Sequence, residues 1–303
     1  MVGIVANPAS GRDIRRLVAG ASVFGNPEKA GMVFRVLTGL AAAGTERALM
    51  MPAADGLGWT LERLFQSHGR PLELEVLDFP LGGTAHDTTT AVREMVARGV
   101  RAIVVLGGDG THRVVAKACG DTPLVALSTG TNNAFPEMRE ATIAGLAAGL
   151  FTDQLIREPA LAVDDDLALV DVAVSSQRFV GARALWRADS ITELFVTRAN
   201  PGAVGLSAIA AQLAPGATGV HVVLGPGERI LAPIAPGLVV PVEIASCEPM
   251  NGPVTVEAAG CLALDGEREI ERATHATVAL TDGPLRVDID AVMAATRLQP
   301  TRE

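Results

Sequence analysis

Apolar and polar positions along the first 138 residues follow two alternating rhythms. Short runs at 2–6, 73–77, 101–106 and 124–127 read as strands, and the continuous apolar one at 101–106 suits a parallel sheet covered on both faces. Between them apolar residues recur at helical spacing. Ile14, Leu17, Val18 and Ala21 follow Asp13 as a cap; Ala91, Val92, Met95 and Val96 follow Asp87 or Thr88; Val114, Val115 and Ala118 form a third set. This βαβα order predicts a doubly wound α/β domain. From about residue 160 the rhythm changes to short β-rich runs divided by Gly and Pro, at 167–174, 179–182, 220–224, 238–244, 254–258 and 277–280. One helical stretch, 204–213, interrupts them. A strand-like run at 285–289 then leads into helical residues 291–297. The pattern predicts an α/β domain at 1–138, an all-β, sandwich-like domain at 139–284, and a segment at 285–303 that packs back on the first domain.

Composition narrows the class. The chain has 303 residues, 49% hydrophobic and 19% charged, which suits a packed core and excludes a disordered chain. Lys+Arg 25 against Asp+Glu 34 gives a net charge of −9. Phosphate contacts need surplus cations, so nucleic acid is not an expected partner. The cysteines (Cys119, Cys247 and Cys261) are odd in number and form no CxxC, which speaks against a disulfide scaffold or a cysteine metal cluster. The two lysines, Lys29 and Lys117, sit in no GxxxxGK[ST] loop, and neither HExxH, GxSxG nor GxGxxG occurs. The apolar stretch 231–244 is broken by Pro233, Pro236 and Pro241, so no membrane span is expected. The chain reads as a soluble, cytoplasmic protein with a small-molecule substrate, no membrane partner, and self-association into a homo-oligomer.

Candidate chemistry lies in three loops that leave strands of the same predicted sheet. Gly107-Gly108-Asp109-Gly110-Thr111 joins a strand to a helix, where backbone N–H groups and the helix N-terminus favour phosphate. A carboxylate in such a turn repels phosphate unless it serves a cation or a proton. Asp109 is therefore either a Mg²⁺ contact, a general base for an attacking hydroxyl, or a plain helix cap. Asn7-Pro8-Ala9-Ser10-Gly11 and Ser128-Thr129-Gly130-Thr131-Asn132-Asn133 are the other two loops. Ligands of open parallel sheets sit beyond the carboxyl ends of the strands, so all three should open on one edge. His112 is either a phosphate contact or an exposed first-turn residue, and Trp59 and Trp186 are expected in the core.

These motifs, with 198–207 (RANPGAVGLS) and Leu264-Asp265-Gly266-Glu267, resemble the ATP-NAD kinase superfamily and, within it, the acetoin catabolism protein X-like branch. Diacylglycerol and sphingoid lipid kinases are more distant members. The resemblance implies an α/β nucleotide domain followed by an all-β acceptor domain, with ATP and Mg²⁺ as cofactors. It implies phosphate binding at Gly107, Gly108, Gly110 and Thr111, with Asn7, Ser10, Gly130, Thr131, Asn132 and Asn133 on the nucleotide side and Asp109 as the base. It implies no dedicated metal ligands, and an acceptor pocket at Asp171, Asn200, Gly202, Ala203, Ser207 and Asp265. NAD kinases carry Asn-Glu where this chain has Val170-Asp171, and a hydroxyl-rich, Tyr-bearing stretch where it has residues 200–207. The expected activity is phosphoryl transfer to a hydroxyl of NAD or a related hydroxylated metabolite. A lipid-type kinase and a non-catalytic nucleotide sensor or accessory protein are the alternatives.

Overall fold

The computed structural model describes residues 1–7, 20, 22, 24–53, 56–177, 184–185, 187–257, 260–271 and 275–296. The first half runs β1 (Val2–Ala6), α1 (Asn26–Ala42), β2 (Arg47–Met50), α2 (Leu57–His68), β3 (Glu73–Val76), α3 (Ala85–Ala97), β4 (Ile103–Gly107), α4 (Asp109–Ala116), β5 (Leu124–Ser128) and α5 (Ala141–Leu150). The second half is β6 (Leu155–Val163), β7 (Asp166–Ala168), β8 (Asp171–Ser175), β9 (Ile191–Arg198), α6 (Ser207–Leu213), β10 (Thr218–Ala235), β11 (Leu238–Pro249), β12 (Val254–Val256), β13 (Cys261–Leu264), β14 (Glu267–Glu271), β15 (Ala276–Val287) and α7 (Ile289–Ala295). The helix expected at 14–21, the strand at 179–182 and Trp186 lie outside the described residues. Among the described residues no helix is long and apolar enough to cross a membrane.

The strands form two sheets. The first has the order β3-β2-β1-β4-β5-β15-β6-β7, with β12 also on β15. Its first five strands are parallel, and β6 returns antiparallel to β15. The chain steps outward from β1 through β2 to β3, then restarts at β4 on the other side of β1. The topological switch point, where such sheets bind ligands, therefore lies between β1 and β4. Alternate residues of β1 feed opposite layers: Val2, Ile4 and Ala6 join a core with α1, α2, α5 and α7, while Val5 joins one with α3 and α4. The second sheet, β11-β10-β9-β8-β13-β14, is antiparallel throughout, and α6 packs on one face of it.

Residues 139–284 are shared between the sheets rather than confined to the second. Helix α5 packs on α1, and β6, β7, β12 and β15 extend the first sheet. Within 285–303, the end of β15 runs parallel to β5 and α7 joins the α1 core. Several other boundaries differ from the sequence reading. Helix α3 starts at Ala85, with Thr84 as its cap and Asp87 closing a capping box, because both residues reach backbone N–H groups in their partner's turn. The sequence reading left out α1 and α2, although their buried residues recur at helical spacing (Val33, Val36, Leu37 and Leu40; Leu57, Leu61 and Phe65). Helix α5, ATIAGLAAGL, is small and apolar nearly all round, and it lies against α1 at very close range.

That proximity is set by glycine. A Cβ on Gly39 or Gly145 would fall onto the backbone of the facing helix (Thr142 and Val36, respectively). Gly145→Ala should gain up to about 1 kcal/mol in helix propensity. It should lose more, since overpacking of this kind costs about 1–3 kcal/mol or above. We expect a lower denaturant midpoint with an unchanged m-value; a higher midpoint would mean that the helices can separate freely.

Candidate active site

Strand β4 is buried along its length, and the turn after it is built by contact. Gly108, the cap of α4, has φ −97° and ψ −175°, a conformation open to any residue. It is glycine for space: a Cβ there would stand 2.7 Å from Asn133 Oδ1, and one on Gly107 would stand 2.6 Å from Thr111 Cβ. The motif also begins the helix earlier than its sequence suggests, since Asp109 is already in α4. Asp109 therefore lies in the first turn, where the helix dipole favours a negative charge. Its carboxylate reaches across to the third loop. Ala134 N–H donates to both oxygens (3.1 Å each) and Phe135 N–H to Oδ1 (2.9 Å). Asp109 thus fixes a neighbouring loop, beyond the plain helix cap of the sequence reading.

The other loops are tied to the same place. Asn7, at the end of β1, donates through Nδ2 to Thr111 Oγ1 at 3.0 Å. Asn133 Nδ2 donates to Ser128 Oγ (2.8 Å) and Gly130 O (3.2 Å). Thr131 exchanges bonds with Ser22, its N–H donating to Ser22 O and its Oγ1 accepting from Ser22 N–H, each at 2.9 Å. Asn132 is half-buried in this loop, and Ser10 lies outside the described residues. Asn7 and the loops after β4 and β5 meet at the β1/β4 switch point; residues 8–12 of the first loop lie outside the described residues.

Beside them lies a cleft of about 210 Å³, lined by Ser128, Gly130, Thr131, Asn133, Ala134, Pro136, Glu137 and Met138 on one side and Asn200, Gly202 and Ala203 on the other. Asn200 Oδ1 accepts Gly202 N–H at 3.0 Å, which shapes the second wall. Asp171, Ser207 and Asp265, expected in the acceptor pocket, are buried and do not line this cleft. Ser207 is inside α6.

Asp265 instead links the second sheet to α4, and Asp171 braces its turn. Leu264 pairs with Glu267 across a two-residue turn in which Asp265 (φ 53°) and Gly266 (φ 73°) are both left-handed, the type I′ pattern that Asp-Gly favours. The turn aims the Asp265 carboxylate at the start of β8, where Oδ1 accepts N–H bonds from Leu169 (2.9 Å) and Val170 (2.7 Å). Asp171 answers by accepting Gly266 N–H at 3.2 Å. The other Asp265 oxygen stands 3.4 Å from Nε of buried Arg113, on α4. Burial pushes the Asp265 carboxyl well above its ordinary value; Arg113 opposes this, and Asp171 and Asp109 add to it.

Other charged residues at the site were missed by the sequence reading. Arg113 follows Asp109 by one helical turn. Glu267, at the start of β14, has its carboxylate 3.4–3.5 Å from where a Gly110 Cβ would stand. Behind the cleft, Asp290, Arg139, Glu137, Arg286, Glu158 and Arg198 form a continuous series of ion pairs, with contacts of 2.6–3.2 Å. Burial raises the Glu137 carboxyl, but hydrogen bonds from Arg139 and Arg286 outweigh it and hold the group below its usual range. These residues lie far apart in sequence, so spacing gave no signal for them. Among the described residues no three His, Cys, Asp or Glu side chains are placed to hold a metal. Mg²⁺ in phosphoryl-transfer sites is held by one or two carboxylates plus substrate phosphates, and Asp109 and Glu267 beside the turn fit that pattern.

A family model of the ATP-NAD kinase N-terminal domain matches residues 2–155, and one of the acetoin catabolism protein X C-terminal domain matches 155–282. The chain is 41% identical to acetoin catabolism protein X of Cupriavidus necator, over 97% of this chain and 91% of that protein. The chain belongs to the acetoin catabolism protein X family. Its fold is shared more widely: a diacylglycerol kinase-like protein of Bacillus anthracis str. Sterne superposes with a TM-score of 0.54 at 14% identity, covering 96% of this chain and 98% of that one. This chain thus joins a domain matched by the ATP-NAD kinase N-terminal model to one matched by the acetoin catabolism protein X C-terminal model.

His112 differs most from expectation, as does Trp59, which is 66% exposed with Arg63 over its ring. His112 is fully buried against Phe135, with Nδ1 2.9 Å from Gly108 O. A carbonyl only accepts, so Nδ1 carries the proton. Nε2 is buried with no hydrogen-bond partner among the described residues. Burial lowers its pKa from the usual 6.5 to about 4. Between those values the unfolded chain binds more protons than the folded one, so stability falls as pH drops through the window, by on the order of 3 kcal/mol in full. Urea unfolding from pH 7 to 4 should show this slope, and His112→Gln should flatten it. An equal slope in the variant would assign it to other groups.

Proposed function

We propose that this chain transfers the γ-phosphoryl group of ATP to a hydroxyl of a small metabolite. The observation that carries the reading is Asp109. Its carboxylate is locked between a glycine turn at the sheet's switch point and a loop whose Ala134 lines the adjoining cleft. The glycine turn and the first N–H groups of α4 suit the phosphates. The acceptor hydroxyl enters the cleft between Gly130–Ala134 and Asn200–Ala203. Its oxygen forms the new bond to phosphorus as the bond to the ADP oxygen breaks, and Asp109 takes the hydroxyl proton. Asp109 and Glu267, beside the turn, would hold Mg²⁺, which would offset charge on the phosphates.

The acceptor side favours a metabolite other than NAD. The second wall presents Gly202, Ala203 and an Asn200 whose amide oxygen already accepts from the loop. Asp171 and Asp265 are committed to the sheet junction. A site built to hydrogen-bond a substrate discriminates by ~10⁴ or more, and without those partners NAD loses that advantage.

Asp109→Asn should reduce turnover by ~10²–10⁴-fold while leaving nucleotide affinity largely intact. Wild-type turnover in the variant would remove Asp109 as the base. Conversion of NAD to NADP should fall below the ~1 s⁻¹ lower end of typical enzymes; a faster rate would make NAD the acceptor. If ATP binds but moves to none of a panel of hydroxylated metabolites, the chain is a nucleotide sensor instead.

A further inference from the structure

Lys29 is one of two lysines in a chain of net charge −9, and it is 1% exposed. Removing an ammonium from water costs several kcal/mol, which its hydrogen bonds and the charges around it have to offset. It lies in the first turn of α1, and its Nζ donates to Asn7 O at 3.0 Å. Asn7 in turn donates to Thr111, so the ammonium stands two hydrogen bonds from the first turn of α4. The residues just before α1 hold the remaining loop: Phe24 N–H donates to Thr129 O at 2.9 Å, and Ser22 is bonded to Thr131. The N-terminal end of α1 therefore touches the loops that follow β1 and β5, and reaches the one after β4 through Asn7. A fixed positive charge lies where they converge.

We propose that Lys29 is the buried counter-charge of the polyphosphate site. Two neighbouring carboxylates carry the wrong sign for phosphate: Asp109 is in the turn, and Glu267 is against Gly110. An ammonium held at the carboxyl end of β1 opposes their field in a setting of low dielectric, where charge acts more strongly than in water. It also holds the Asn7 carbonyl, which keeps the Asn7 amide on Thr111. This role rests on the nucleotide reading, and it makes Lys29 selective for the phosphate tail, with no part in recognising the base or sugar.

The test uses the full chain and the fact that it has only two lysines. With ¹⁵N-labelled lysine the protein gives two side-chain ammonium signals, and Lys29→Arg identifies the one from Lys29. Tripolyphosphate and Mg-ATP should shift the Lys29 signal and leave that of exposed Lys117, paired with Asp166, in place. In calorimetry, Lys29→Met should weaken ATP by roughly 10–100-fold and AMP by less than about threefold, and Lys29→Arg should recover part of the loss. A Lys29 signal unmoved by ATP that calorimetry shows to be bound would overturn the proposal and leave the nucleotide reading intact. So would an equal loss for AMP and ATP, the mark of a merely structural lysine. Absence of any binding of ATP, ADP or tripolyphosphate to the wild type would overturn both.

Discussion

The buried carboxylate of Asp265 is the contact on which the arrangement of the site depends. One oxygen gathers N–H groups at the start of β8 in the second sheet, and the other faces Arg113 on α4, the helix that begins with Asp109. Both groups are buried, so this contact holds α4 against the second sheet in a setting of low dielectric. The glycine turn and the second sheet are thereby set at one distance. The cleft, walled by a loop from each sheet, inherits that spacing.

The fold was legible where local rules govern it. Runs such as 101–106 read as covered parallel strands because β4 is buried on both faces, and three loops at strand ends were bound to meet on one edge. The small apolar helix α5 was not legible, because Gly39 and Gly145 pack by close approach and leave no amphipathic stripe. The division into two domains is less simple than the change in rhythm near residue 160 suggests, because β6 and β15 look like strands of an antiparallel domain yet complete the first sheet.

The candidate site divides in the same way. Asp109, Asn7 and Asn133 could be named from the sequence because they sit in motifs next to strand ends, and the structure brings their loops together. Asp265 was noticed for the right local reason, an Asp-Gly turn, and given the wrong surroundings: a type I′ turn can aim its side chain into the protein as readily as into a pocket. Arg113, Glu267 and the ion-pair series from Asp290 to Arg198 depend on which strands become neighbours across the two sheets, and no spacing in the chain encodes that. The glycine turn and its loops are consequently placed by the strand order, while the opposite wall of the cleft depends on how the second sheet docks.

The central claim is that a nucleotide's phosphates lie at the β1/β4 switch point. A crystal structure of the full chain with Mg²⁺ and a non-hydrolysable ATP analogue tests it directly. The account predicts phosphate oxygens on the backbone N–H groups of Gly108–Thr111, within reach of Asn7 and of the 130–133 loop. Phosphates bound instead in the separate cavity beside Arg139 and Arg286, with the glycine turn left untouched, would contradict it.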